Sequence, residues 1–544
     1  MSRSRLVVTL TLLACLVLSA PAPAGETLYN GIVLPDLWPP RADKLTREVA
    51  PAPWLENIPK VIPIDVGRQL LVDDFLVERT DLTRTFHQPT WHEGNPVLKP
   101  EKPWEKEGKG AFAAAFSDGV WYDPADRKFK MWYMAPYFQG TCLAVSDDGL
   151  RWRRPEFDVF AGTNRVIAVG RDSSTVWLDH FDRDPQKRFK MFTATSKGGW
   201  KLQLNASPDG IHWSEPLALS PSIGDRTTVF YNPFRKRWVY SLRIGLGGGI
   251  GRSRAYREHA DARQGLTWTD ADKVLWTCAD KLDPRHPKYP DIEPQLYNLD
   301  ATPYESLMIG LFAIHQGPPN GECAKLKIQK RNELLIGFSR DGFHWHRPCR
   351  ERFLGVTEKD GDWNWGNMQS AGGGCLVMGD RLYFYVSGRA RPEQFWDTGA
   401  SMGVAFLRRD GFASLDAGAS GGTLTTRPVR FAGKHLFVNA AAGGGELRAE
   451  VLDADGKVIA PFTRDACRAV KGDKTLAAVT WDGAADLSAL AGKPVRFRFH
   501  LKSAGLYAFW VSPAPNGASH GYVAAGGPGF TGPTDTIGKA AKAE

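Results

Sequence analysis

No Cys-x-x-Cys pair occurs in this 544-residue chain: Cys142, Cys278, Cys323, Cys349, Cys375 and Cys467 are scattered, which excludes the usual thiolate zinc sites. An oxidising compartment would permit one or two disulfides, with Cys323 and Cys349 the candidate pair. The histidines are equally uninformative. His212, His344 and His346 belong to a repeated motif, and His180, His286 and His315 lack ligand spacing, so no metal is expected beyond a calcium ion plugging a channel, which a sequence does not reveal. The net charge is +9, yet Lys and Arg form no basic run. A nucleic-acid partner is therefore not expected, and the choice is between an ordinary basic surface and an acidic glycan partner. Only Leu6–Ala20 is a long apolar run; nothing else approaches the roughly 20 residues of a membrane helix, so no membrane partner is expected. Long stretches also lack a 3.6-residue apolar period, which argues against a helical fold.

What is present begins with Arg3 and Arg5, the apolar run, and the small residues Ala22-Pro23-Ala24 before Gly25. That order is a secretory signal peptide over residues 1–24 and predicts a secreted or periplasmic protein. Roughly 520 residues remain, well above the roughly 250 to 300 at which one core stops growing, so at least two domains are expected. The 56 Gly and 19 Trp suit β-structure with many turns.

One heptad of sequence recurs. Ser146-Asp147-Asp148-Gly149-Leu150-Arg151-Trp152 returns at Ser207–Trp213 and at Ser339–Trp345 as Ser-x-Asp-Gly-x-x-Trp, with a weaker copy ending at Trp268. The four tryptophans are 61, 55 and 77 residues apart, a period that suits a four-stranded propeller blade. Hairpin signals recur with them: Tyr122-Asp123-Pro124, Asp184-Pro185, Tyr231-Asn232-Pro233, Thr302-Pro303 and Gly379-Asp380, each before an alternating aromatic run. Five hairpins predict a five-bladed β-propeller over residues 111–410. Asp and Gly of the motif are expected to turn the chain at the outer edge, and Trp to wedge against the neighbouring blade. Residues 25–110 are read as an extension packing on the propeller. Short alternating strands over 421–513 predict a β-sandwich, and the Gly- and Ala-rich residues 514–544 are expected to stay unpacked. The fold class is thus all-β, a propeller followed by a sandwich.

Ligands of a propeller bind where the innermost strands open, so carboxylates at those starts matter. Asp118, Asp172, Asp225 and Glu293 satisfy this in blades one to four, while blade five offers Trp363 and Gln369. Glycosidic cleavage needs two carboxyl groups across the scissile bond, and mutual repulsion with partial burial would separate their pKa values. Arg171, Arg226, Arg254, Tyr297, Trp363 and Gln369 are the candidate substrate contacts, with Arg226 and Arg254, together with Arg257, suited to an anionic sugar and Trp363 to stacking.

The blade motifs, leader and trailing sandwich resemble the five-bladed propeller glycosidases that include glycoside hydrolase family 32, with family 43 a near relation. The Trp-Met-Asn-Asp-Pro-Asn-Gly sucrose box of family 32 is absent, which argues against fructan. The resemblance implies Asp118 as nucleophile or base and Asp172 as transition-state stabiliser beside Arg171. The acid is Asp225, on the blade where the family places it, or the longer Glu293. The expected activity is hydrolysis of a plant or algal glycan without a cofactor; a non-catalytic glycan-binding propeller is the alternative, with a lyase or sialidase-like enzyme behind both.

Overall fold

The turn and alternation signals fold locally into hairpins. In the computed structural model, which describes residues 25–541 apart from 109, 197 and 392–398, these hairpins form five antiparallel sheets in chain order. The leader assigned to residues 1–24 lies outside the described residues. Blade one consists of Ala114–Asp123, Lys128–Met134, Thr141–Ser146 and Arg165–Ile167, and blade two of Arg171–Leu178, Phe189–Thr195, Lys201–Ser207 and Ala218–Ser222. Blade three has Thr228–Asn232, Arg237–Leu246, Gly251–His259 and Val274–Thr277, and blade four Gln295–Glu305, Leu307–Gly317 and Arg331–Ser339. Gly366–Ser370, Arg381–Arg389 and Ala400–Arg408 build blade five.

The fourth strand of blade five comes from before blade one. Thr90–Trp91 pairs antiparallel with Ala400–Arg408, Trp91 opposite Ala405, so backbone hydrogen bonds close the ring and cover an edge that would otherwise be exposed.

The Ser-x-Asp-Gly-x-x-Trp motif makes the outer turn and ties blades together. Asp148 Oδ1 accepts from the backbone N–H groups of Leu150 and Arg151, both at 2.8 Å, and Asp209 and Asp341 repeat the arrangement. The glycines adopt φ of 74°, 81° and 82°, a region open to Gly at little cost. Neighbouring blades bond to these turns: Tyr385 Oη donates to the Gly149 carbonyl, Trp132 Nε1 to Gly210 and Trp276 Nε1 to Phe343, at 2.5, 2.8 and 2.7 Å. Trp345 is buried, whereas Trp152 and Trp213 are half-buried at the same position.

The second domain draws on more of the chain than the sequence suggested. Its strands include Gln69–Leu70, Val77–Thr80 and Thr83–Phe86 from the N-terminal segment as well as Ala413–Ala417 through Ala504–Ser512. The long strand His435–Leu452 joins two halves, pairing through His435–Ala441 with Ala504–Ser512 and through Glu446–Leu452 with Arg496–Lys502. One apolar core of Val438, Leu447, Phe497, Phe499 and Phe509 fills it.

Two expectations fail. Residues 514–541 are packed: Tyr522–Val523 adds to the edge of Gln295–Glu305, Val523 and Phe530 are buried, and Asp535 accepts from Arg409 at 2.8 Å. A few apolar anchors and one buried charge hold a segment whose composition suggested none. The six cysteines are all free among the described residues.

Candidate functional site at the channel mouth

Four of the five inner strands carry a register irregularity at the same level. It lies between Ala114 and Gly119 in blade one, Arg171 and Ser174 in blade two, Leu296 and Asn298 in blade four, and Gly366 and Gln369 in blade five. A bulge turns a side chain out of the alternating pattern. The residues so turned, Phe116, Asp172, Tyr297 and Asn367, all line one cavity of about 100 Å³ at the channel mouth. Asp225, just ahead of the inner strand of blade three, completes the ring of blades, joined by Tyr137, Arg252, Lys330 and Arg389.

The two carboxyl groups on this cavity are driven apart electrostatically. Burial pushes Asp172 up to about 6, helped by the neighbouring Asp225 charge and opposed by Arg226, whose Nη1 is 3.8 Å away. Burial also acts on Asp225, but Arg252 and Arg243, at 3.2 and 3.4 Å, outweigh it and hold Asp225 below the ordinary aspartate value. The result is one group able to carry a proton and one that keeps its charge. Tyr297 follows the second pattern: burial raises its pKa, yet the Lys330 and Arg252 charges lower it overall.

Beneath the cavity lies a continuous polar floor. Asn332 Nδ2 donates to Asn367 Oδ1 at 2.8 Å, Gln369 Nε2 to the same oxygen at 3.0 Å, and Arg226 Nη2 to Gln369 Oε1 at 3.1 Å. Arg226 Nη2 also reaches Ser117 Oγ, which donates to Asp300 Oδ2 at 2.8 Å. Asn298 and Ser370 donate to the same Asp300 oxygen, at 2.9 and 2.5 Å. Ser117 has a φ of 67°, a strained position for a non-glycine residue that the surrounding hydrogen bonds fix.

The structure brings Asp172, Asp225 and Tyr297 together and disperses the other candidates. Asp118 is fully buried and does not line the cavity. Its Oδ1 is 2.9 Å from Arg171 Nη2, and burial raises it to about 6 against that partner. Arg171 also donates to the Gly140 and Asp172 carbonyls, so the Asp118–Arg171 pair braces the Asp172 bulge from below. Arg254 is buried in the channel wall on the Arg226 carbonyl, Ser241 and Asn298, where burial and Arg226 lower it to about 9. Gln369 belongs to the floor. Asp118, Arg171, Arg254 and Gln369 are thus corrected from substrate-facing groups to supports of the cavity, and two further candidates lie away from it. Glu293 sits on a surface loop, its side chain 40% exposed and paired with Arg47 and Arg285, because the chain reaches the cavity only four residues later at Tyr297. Trp363 packs against Gly388, Gly403 and Trp91 and wedges the closing strand in place of facing a ligand.

No family model matches the chain, and no curated protein matches it. Solved structures do. The chain is similar to an N-acetylgalactosamine deacetylase from F. plautii, with a TM-score of 0.41 and 13% identity over 60% of this chain and 96% of the other. It is also similar to a β-1,2-mannobiose phosphorylase from Listeria innocua (0.38, 14%, covering 59% and 97%) and to a thermostable family-43 glycoside hydrolase (0.39, 12%, covering 56% and 93%). Values this low transfer no residue roles, and the chemistry of the mouth follows from its own side chains.

Sequence reasoning missed Lys330, Arg252, Arg389, Asn367 and Asp300. Arg252 had a signal, since it stands two residues from Arg254 on one strand and therefore shares its face. Lys330 had none: it precedes an outer strand and reaches the mouth only through the path of the 318–330 loop.

Proposed function

We propose that the channel mouth is the active site of a glycoside hydrolase acting outside the cytoplasm, with Asp172 as proton donor and Asp225 as its ionised partner. The observation that carries this reading is the opposite displacement of two carboxyl pKa values on a single cavity. Asp172 protonates the leaving glycosidic oxygen, while Asp225 either attacks the anomeric carbon or takes a proton from the attacking water. Arg226 stabilises the carboxylate left on Asp172. The Asp118–Arg171 pair positions the bulge and touches no substrate. A cavity of about 100 Å³ is below the roughly 300 to 1,000 Å³ of sites that enclose a drug-sized ligand, which favours the end of a glycan chain over its middle.

The test is a screen of the mature protein on plant and algal oligosaccharides with product analysis, followed by Asp172→Asn and Asp225→Asn. Each variant should lose about 10²- to 10⁴-fold in turnover with folding intact. Binding without product on every glycan, unchanged in both variants, would establish a non-catalytic glycan-binding propeller.

A further inference from the structure

The cavity carries more positive charge than its carboxyls use. Asp225 is engaged by Arg252 and Arg243, and the cation within ion-pair distance of Asp172 is Arg226, behind the wall, with Lys330 and Arg252 acting on Asp172 from further away. Lys330 lines the cavity and is only 7% exposed, yet no carboxylate lies within ion-pair distance of it among the described residues. The ammonium has one hydrogen-bond partner among the described residues, Tyr297 Oη at 2.8 Å. An ammonium has three donors, and a nearly buried one without a counter-ion is costly. Tyr297 accepts that bond, and its own proton has no acceptor among the described residues. The Arg252 guanidinium lies 4.7 Å from the Tyr297 ring centroid. An ammonium, a guanidinium and a phenol O–H thus converge on one side of the cavity with bonding capacity to spare.

From this convergence we propose that the cavity selects a sugar bearing an anionic substituent, a carboxylate or a sulfate, bound by Lys330, Arg252 and Tyr297. The inference rests on reading the mouth as a glycan site and adds the class of glycan. Hydroxyl groups of a neutral sugar would fill the space but leave Lys330 without a direct anionic partner. A carboxylate or sulfate takes the Lys330 point charge and at the same time accepts from an Arg252 N–H that Asp225 leaves over.

Binding of D-glucuronate, D-galacturonate and galactose 6-sulfate to the mature protein, measured by calorimetry beside glucose and galactose, tests the proposal. At least one anionic probe should bind at least about tenfold more tightly than its neutral counterpart, and uronate against sulfate identifies the group. Lys330→Met should weaken that binding about 10- to 100-fold and leave neutral sugars unaffected, while Lys330→Arg restores most of it. Arg252→Gln provides the same readout if Lys330→Met does not fold. Equal or better binding of the neutral sugars overturns the inference and leaves the hydrolase reading intact, as does silence of every anionic probe at millimolar concentration. Selective anionic binding with no cleavage of the matching oligosaccharides sustains the inference and removes the hydrolase reading.

Discussion

Ser173 of blade two shares its hydroxyl between the carbonyl oxygens of Asp225, at 3.1 Å, and Thr227, at 2.8 Å, in blade three. These contacts lock two blades together one residue behind Asp172 and directly at Asp225. The backbone beside the two cavity carboxyls is thus joined across the blades by a side-chain-to-backbone contact. A fixed spacing keeps the Asp225 charge close enough to add to the burial that raises Asp172.

Activity should follow a bell on the acid side of neutrality. The donor must be protonated, so turnover falls as pH rises through about 6, the value of Asp172. The partner must be ionised, so turnover falls again only below the ordinary aspartate value of 3.8, since Asp225 is displaced downward. A rate that stays flat from pH 6 to 9 would remove Asp172 as the acid.

Asp172 should also cost stability at neutral pH. Its folded pKa of about 6 exceeds the ordinary 3.8, so the fold holds the proton more tightly than the unfolded chain. Stability is then lost as pH rises from about 3.8 to about 6 and stays lower above that. Asp172→Asn should gain on the order of 2 to 3 kcal/mol at pH 7 and nothing near pH 4. Urea midpoints of the two proteins at both pH values supply the comparison, and a gain of equal size at pH 4 would contradict the charge-burial account.

Truncation after residue 513 should destabilise the whole protein. Arg409 is fully buried between Glu305 and Asp535, and removing Asp535 leaves that charge short of a partner, a loss of about 3 to 5 kcal/mol. Exposure of the surfaces that Val523 and Phe530 cover adds to it. A thermal scan of the truncated chain that matches the full chain would show that the tail is dispensable.

Trp345→Ala should cost about 3 to 5 kcal/mol, because the ring is buried beside Phe312 and Trp276 and its removal leaves a cavity. Trp213→Ala, at the half-buried equivalent position, should cost distinctly less. Gly310 sits where a Cβ would come within 2.7 Å of the Trp345 ring, so Gly310→Ala should resemble Trp345→Ala. Equal melting temperatures for the two tryptophan variants would refute the difference in packing.

The five-fold repeat was legible in the sequence because its causes are local. Asp-Gly turns, Asp-Pro hairpins and alternating aromatics specify strand, turn and strand within a dozen residues, and a tryptophan after the turn marks the outer edge of four of the five blades. Asp172, Asp225 and Tyr297 could be chosen for the same reason, as polar residues at or near the starts of inner strands. What only the tertiary structure decided depends on contacts distant in sequence. Blade five is closed by Thr90–Trp91, the tail is held by Arg409, and Lys330 arrives through a loop, none of which a local pattern encodes. The roles of the carboxyls were decided there too. Asp118 and Asp172 occupy similar places in the sequence, yet the bulges bury one against Arg171 and turn the other into the cavity. Glu293, although suitably acidic, ends on a surface loop with Arg47 and Arg285, because the strand that enters the cavity begins only after it.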